Sequence, residues 1–267
     1  MPSINAHSSP DGTAKTDARD RLVLALDVDN EREALGLVSE LKDEVGVFKV
    51  GHQLFTAYGP DVVRSIVGMG GRVFLDLKYH DIPNTVAKAS AEAVKLGVSI
   101  FNVHSLGGFD MMKAAVEAVH ETAAQRSVPA PLLLAVTVLT SMDGRSLRRE
   151  LKITRSLPRQ VAHLARLAKR AGMQGVVASP REIKMLRREV RGDFIILTPG
   201  VRPDWASQDD QKRIMTPGEA VCAGADYIVV GRPVLRARDR KSAVRKIVEE
   251  MSSCHEGLKK RNAKRSG

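Results

Sequence analysis

Five charged residues stand where short apolar runs end: Asp27, Lys49, Asp76, Lys78 and Asp81. The run RLVLALD (21–27) closes on Asp27, VGVFKVG (45–51) nearly closes on Lys49, and RVFLDLK (72–78) closes on Asp76 and Lys78. Side chains on a strand alternate with period two, which places Phe74, Asp76 and Lys78 on one face of the third run. Charges inside a packed fold are costly unless paired, so lysines and aspartates on neighbouring strands are expected to meet. Asp81 follows three residues after Lys78, in a turn opened by Tyr79-His80 and stiffened by Pro83. Such a row has two chemical uses. A lysine between two aspartates is held protonated and serves as a general acid. An aspartate that cannot easily neutralise repels a bound carboxylate and favours its loss as carbon dioxide. Taken alone, the cluster also reads as a structural ion-pair network.

A second group suits an anion. Ile228-Val229-Val230 runs into Gly231-Arg232, where a glycine lets a phosphate approach the backbone and an arginine offers a two-pronged donor. Arg202 and Gln211, further back in the chain, are candidate partners for the same ligand. A turn followed by a surface arginine is the competing reading. Phosphate loops of the GxxxxGK[ST] and GxGxxG types, the zinc motif HExxH and CxxC pairs are all absent. His104 closes the fourth apolar run and reads as a hydrogen-bonded histidine or polar lining, while His120 and His163 fall inside helical patterns.

Positioning these residues needs a scaffold, and the hydrophobic pattern supplies one. Eight short runs rich in Val, Ile, Leu and Phe recur at 21–27, 45–51, 72–78, 98–104, 132–138, 174–179, 194–200 and 226–232. Amphipathic stretches with apolar residues three and four apart lie between them, for example at 31–44, 84–97, 109–125, 157–172, 180–190 and 217–225, with a closing helix near 234–252. Gly68-Met69-Gly70-Gly71 precedes the third run and reads as a helix stop. Eightfold β/α alternation predicts an α/β fold, a single-domain (β/α)8 TIM barrel. An open doubly wound sheet fits less well, because the turn after Asp27 is Val28-Asp29-Asn30, with no glycine. Two connections, 139–156 and 200–216, are long for this fold and fall on its C-terminal face, where they are expected to clamp ligand.

Composition bounds the rest. The chain has 267 residues, 43% hydrophobic and 27% charged, enough to bury a sizeable core. A net charge of +11 invites a nucleic-acid reading, but three Tyr, six Phe and one Trp make a poor base-stacking platform. An anionic small molecule or solvated helix faces explain the charge as well. No apolar run is long enough for a membrane span, and the first 20 residues lack the apolar segment of a secretory signal. Two cysteines, Cys222 and Cys254, do not make a disulfide framework, so a reducing cytoplasm is the expected location. Residues 1–20 are expected to be a disordered polar tail, 21–254 the barrel, and 255–267 a basic tail.

Together these residues resemble the orotidine 5′-phosphate decarboxylase family, of the bacterial type. The resemblance rests on Asp76-Leu77-Lys78-Tyr79-His80-Asp81-Ile82-Pro83-Asn84-Thr85. It continues through Lys49-Val50-Gly51, Leu139-Thr140-Ser141-Met142, Gly200-Val201-Arg202-Pro203, Asp209-Asp210-Gln211-Lys212-Arg213 and Gly231-Arg232-Pro233. It implies an enzyme without cofactor or metal that converts orotidine 5′-phosphate to uridine 5′-phosphate and carbon dioxide in pyrimidine synthesis. By position, Lys78 is implied to protonate the C6 carbanion and Asp76 to face the substrate carboxylate, with Lys49 and Asp81 completing a charged tetrad. Asp27 and Lys49 are implied to bind the ribose, and Thr140, with Ser141 nearby, the pyrimidine. Gln211, Gly231 and Arg232 are implied to hold the phosphate, with Arg202 lining the site. The family's homodimer implies that Asp81, Ile82 and Thr85 reach into the partner's site. Neither nucleic acid nor membrane is an implied partner. The nearest rival is a metal-dependent sugar-phosphate decarboxylase or aldolase on the same barrel, whose motif lacks the continuation Ile82-Pro83-Asn84-Thr85.

Overall fold

All eight apolar runs form strands: β1 (Leu22–Ala25), β2 (Val47–Gly51), β3 (Val73–Tyr79), β4 (Ile100–His104), β5 (Leu132–Val136), β6 (Gly175–Val177), β7 (Ile195–Thr198) and β8 (Tyr227–Val230). In this computed structural model, which describes residues 17–206 and 215–263, the strands pair in parallel and in chain order, and β8 closes on β1. The helices are α1 (Glu31–Leu41), α2 (His52–Gly68), α3 (Pro83–Lys95), α4 (Gly108–Arg126), α5 (Gly144–Arg149), α6 (Leu157–Arg170), α7 (Ile183–Glu189), α8 (Pro217–Ala223), α9 (Arg232–Leu235) and α10 (Arg240–Ala263). A closed barrel leaves no sheet edge, and the right-handed crossovers put the helices outside. The expected fold is therefore present, as one domain.

Local chemistry marks the helix starts. The Asn30 side chain accepts a hydrogen bond from the Glu33 N–H at 2.9 Å and caps α1. Thr216 and Glu219 form a reciprocal capping box on α8. Pro83 and Pro217 occupy the first positions of α3 and α8, where a missing N–H costs nothing. The helix stop expected after Gly68 is present, with Gly70 at φ 83. α2 is broken at Gly59 (φ 61) and Pro60, because the glycine adopts a non-helical conformation inside an apolar stretch.

Two apolar layers hold the barrel. Inward side chains of the strands, including Val23, Val47, Phe74, Ile100, Leu134 and Val229, fill its interior. Outward side chains such as Leu24, Phe48, Leu75 and Phe101 pack under the helices. Removing a side chain as large as Phe74 from such a layer costs about 3–5 kcal/mol. At the N-terminal face, Arg187 donates to the carbonyls of Gly224 and Phe194 and pairs with Asp226, which also accepts the Ile196 N–H. That cluster ties β7 to β8 far from the strand ends that carry Asp76 and Lys49. At the opposite face, buried hydroxyls extend the strand pairing: Thr137 Oγ1 donates to the Val177 carbonyl at 3.1 Å and Thr198 Oγ1 to the Ala178 carbonyl at 2.8 Å.

Among the described residues, no helix is long and apolar enough to cross a membrane. Cys222 on α8 is disulfide-bonded. One such bond is not a framework, but it removes the cysteine argument for a reducing compartment.

Candidate active site

The inward columns of β1 to β4 end in polar residues at the C-terminal rim. Val23 and Ala25 lead to Asp27, Val47 to Lys49, Phe74 to Asp76, and Ile100 to Asn102 and His104. Register brings these ends together, with Ala25 beside Lys49 and Gly51 beside Asp76. The result is a continuous row of alternating charge. Lys49 Nζ lies 3.0 Å from Asp27 Oδ1 and 3.8 Å from Asp76 Oδ2, and Lys78 Nζ lies 2.8 Å from Asp76 Oδ1. Gly51 makes room for it: a Cβ there would stand 3.0 Å from Lys49 Nζ.

Asp76 is the most enclosed carboxylate of the row, its side chain 15% exposed. Burial alone would raise its pKa. The attraction of Lys78 and Lys49, with hydrogen bonds from Lys78 and Asn102, outweighs that and holds Asp76 below the ordinary carboxylate value. It is thus a fixed anion between two ammonium groups.

Lys78 does not reach this position by simple alternation. Pairing between β3 and β4 is regular at Phe74–Ile100 and Leu75–Phe101, then resumes at Tyr79–Val103. Four residues of β3 are spanned by two of β4, and Lys78 sits in the bulge at φ 49. An L-residue in this left-handed region costs about 1–2 kcal/mol, a strain of the kind that collects at functional sites. Expecting Phe74, Asp76 and Lys78 on one regular strand face is therefore corrected: the bulge, not period two, turns Lys78 toward Asp76.

Asn102 is the residue the motif reading missed. It is wholly buried, its Nδ2 donates to Asp76 Oδ1 at 2.7 Å, and its Oδ1 accepts the Lys78 N–H at 2.8 Å. The alternation used for β3 would have found it, since Ile100, Asn102 and His104 share the inward column of β4. His104 stacks on His80, with ring centroids 5.4 Å apart. Burial first, then the neighbouring His80 and Lys78, lowers the His104 pKa to about 4, so it is neutral near pH 7 and accepts the Leu106 N–H at Nδ1.

Asp81 does not join the row within one chain. It is exposed, accepts the Ile82 N–H at 2.6 Å, and makes no ion pair among the described residues. Ile82 is 65% exposed, and Thr85 is exposed in the first turn of α3. Thr140 and Ser141 are exposed in the turn after β5, and the rest of that long connection includes α5. Across the rim, Arg202 and Arg232 line one pocket with Trp205, Ala206, Pro233, Arg236 and Ala237. Gly231 links this pocket to the charged row, since a Cβ on it would stand 3.8 Å from Asp27 Oδ2. Met215 accepts the Arg202 N–H at 3.2 Å, tying the two ends of the seventh connection. Gln211 lies outside the described residues. Among those described, no group of three or more His, Cys, Asp or Glu is placed to hold a metal ion.

A pocket lined by Arg202, Arg232 and Arg236 stands on the same rim as the row of paired ammonium and carboxylate groups, an arrangement whose chemistry suits a phosphorylated substrate that undergoes a change of charge at its other end. A family model described as "Orotidine 5′-phosphate decarboxylase / HUMPS family" matches residues 20–247. The chain is 56% identical over 241 residues to a Syntrophotalea carbinolica protein named orotidine 5′-phosphate decarboxylase, covering 90% of this chain and 98% of that one. It is 49% identical to a protein of the same name from Heliobacterium modesticaldum, covering 92% and 100%. A crystal structure of orotidine 5′-phosphate decarboxylase from Lactobacillus acidophilus superimposes with a TM-score of 0.76 at 38% identity, covering 86% of this chain and 97% of that one. With its barrel, its rim of alternating charge and relatives that match over almost their whole length, this chain belongs to the orotidine 5′-phosphate decarboxylase / HUMPS family.

Proposed function

We propose that this protein decarboxylates orotidine 5′-phosphate to uridine 5′-phosphate and carbon dioxide, a step of pyrimidine synthesis. The observation that carries the reading is the row Asp27–Lys49–Asp76–Lys78 at the barrel's C-terminal rim, in a chain about half identical to proteins bearing that name.

Bond by bond, the C6–carboxylate bond breaks, carbon dioxide leaves, and the electron pair stays on C6. A proton from Lys78 Nζ then forms the new C6–H bond, and Lys78 regains a proton from water. A fixed ammonium stabilises the developing carbanion with little reorganisation, and most strongly where water is excluded. Asp76, kept ionised by Lys49 and Lys78, faces the substrate carboxylate, and their repulsion is relieved as the negative charge passes to C6, beside the Lys78 ammonium, and the carboxyl carbon leaves as neutral carbon dioxide.

The remote end anchors the reaction. Arg232, Gly231 and Gln211 hold the phosphate, with Arg202 lining the pocket; Asp27 and Lys49 bind the ribose; Thr140 and Ser141 meet the pyrimidine. Binding energy gathered there organises the reacting end. Asp81, Ile82 and Thr85 complete the site of a partner chain in a homodimer, which accounts for their exposure in a single chain. On this reading the enzyme needs no cofactor and works in the cytoplasm.

The test is turnover of orotidine 5′-phosphate, followed by ultraviolet absorbance, in excess chelator. Undiminished turnover is expected. Loss restored by a divalent metal would favour the sugar-phosphate rival instead.

A further inference from the structure

Within the site proposed above, the least exposed polar side chain is one that has no implied contact with substrate. Asn102 is 0% exposed, directly above the apolar inner layer that Ile100, Phe74 and Leu134 help to form. Buried amides persist where both their donor and their acceptor are used. Here both ends of one planar group meet the charged row: Nδ2 donates to Asp76 Oδ1 at 2.7 Å, and Oδ1 accepts the Lys78 N–H at 2.8 Å. The N–H that it receives lies where β3 leaves its register with β4, at the residue with φ 49. Asp76 Oδ1 takes Asn102 and the Lys78 ammonium together, the latter also at 2.8 Å.

We infer that Asn102 is a positioning residue for proton delivery, clamping the Lys78 backbone in its left-handed turn and the Asp76 carboxylate with one amide. Leucine would fill the space with neither bond. Aspartate would keep an acceptor for the Lys78 N–H but set a second carboxylate against Asp76. Two carboxylates at that spacing share a proton, so the pair would hold one to higher pH than either alone. While that proton is bound, an O–H replaces the lost N–H donor. When it leaves, the clamp opens.

The experiment compares wild type, Asn102→Ala and Asn102→Asp for kcat across pH, for uridine 5′-phosphate affinity by calorimetry, and for thermal unfolding. For Asn102→Ala, kcat is expected to fall by about 100-fold, the scale set by misplacing a reacting group by about an ångström. Affinity for uridine 5′-phosphate, which depends on the remote anchors, is expected to change by less than about threefold. Asn102→Asp is expected to regain activity as pH falls through a limb that wild type lacks. If the alanine variant does not fold, the near-isosteric Asn102→Asp decides through that limb alone. A folded Asn102→Ala with kcat within about threefold of wild type would overturn the inference. So would an Asn102→Asp profile parallel to wild type. Wild-type turnover separates the two levels: its absence would sink the proposed function and this inference with it, whereas a normal wild type with unaffected variants would sink this inference only.

Discussion

Lys78 Nζ stands 2.8 Å from Asp76 Oδ1 across a bulge in the strand that carries both residues. A regular strand would carry the two side chains up the same column in parallel. The bulge instead folds the lysine back, so its ammonium and the N–H donor of Asn102 converge on one carboxylate oxygen. Asp76 is thereby locked as an anion, and its other oxygen faces Lys49 at 3.8 Å. The arrangement spends backbone strain to fix one proton donor beside one negative charge.

Gly51 is the spacer of this row. Its hypothetical Cβ stands 3.0 Å from Lys49 Nζ, so Gly51→Ala must push the ammonium aside. The displaced atom ends a flexible side chain, so stability is expected to change by less than about 1 kcal/mol. The loss appears in catalysis, as a fall in kcat/KM of about tenfold. Steady-state kinetics beside urea unfolding checks both; unchanged kcat/KM would show that the Lys49 position is not demanding.

Asp81 and Arg232 are expected to complement across chains. Within one chain Asp81 makes no ion pair among the described residues, while Arg232 lines a pocket of its own chain. Asp81→Ala and Arg232→Ala homodimers should each be nearly inactive. A refolded mixture forms one intact site in each heterodimer, giving about a quarter of wild-type activity after random exchange. Well-folded mixtures that stay inactive would count against the shared site.

Glu182 sets a pH dependence on stability. Burial raises its carboxyl to about 7, although the Ser179 N–H that it accepts acts in the opposite direction. Unfolded, it ionises near its ordinary 4.5. Between these values the folded chain holds a proton that the unfolded chain releases, so this contribution is present at low pH and is lost as pH rises through about 7. Glu182→Gln has no such proton to lose. From pH ~5 to pH ~8, the variant is expected to gain about 1–3 kcal/mol relative to wild type in urea unfolding. Two parallel stability curves would refute the assignment.

Much of this was legible in the sequence because its causes are local. Eight apolar runs must be buried on both faces, and charges at their ends, at Asp27, Lys49 and Asp76, have to find one another at the rim. Apolar runs end where pairing ends, so β7 and β8 follow their runs closely. The bulge at Lys78 was not legible, since it depends on how β3 and β4 register in three dimensions, and a lysine carries no preference for a left-handed backbone. Asn102 escaped because it belongs to no motif and shows its meaning only through the two residues that it holds. The break in α2 did carry a local signal, the dipeptide Gly59-Pro60, inside a pattern otherwise apolar enough to read as one helix.

The central claim is that this chain removes the carboxylate from orotidine 5′-phosphate and that Lys78 returns the proton. Its most direct test sets wild type beside Lys78→Ala and measures uridine 5′-phosphate and carbon dioxide from orotidine 5′-phosphate, with circular dichroism confirming that both proteins are folded. Equimolar products from wild type and a loss of at least about 1,000-fold in the variant are expected. A folded wild type that forms no uridine 5′-phosphate, or a Lys78→Ala variant with near-normal turnover, would contradict the account.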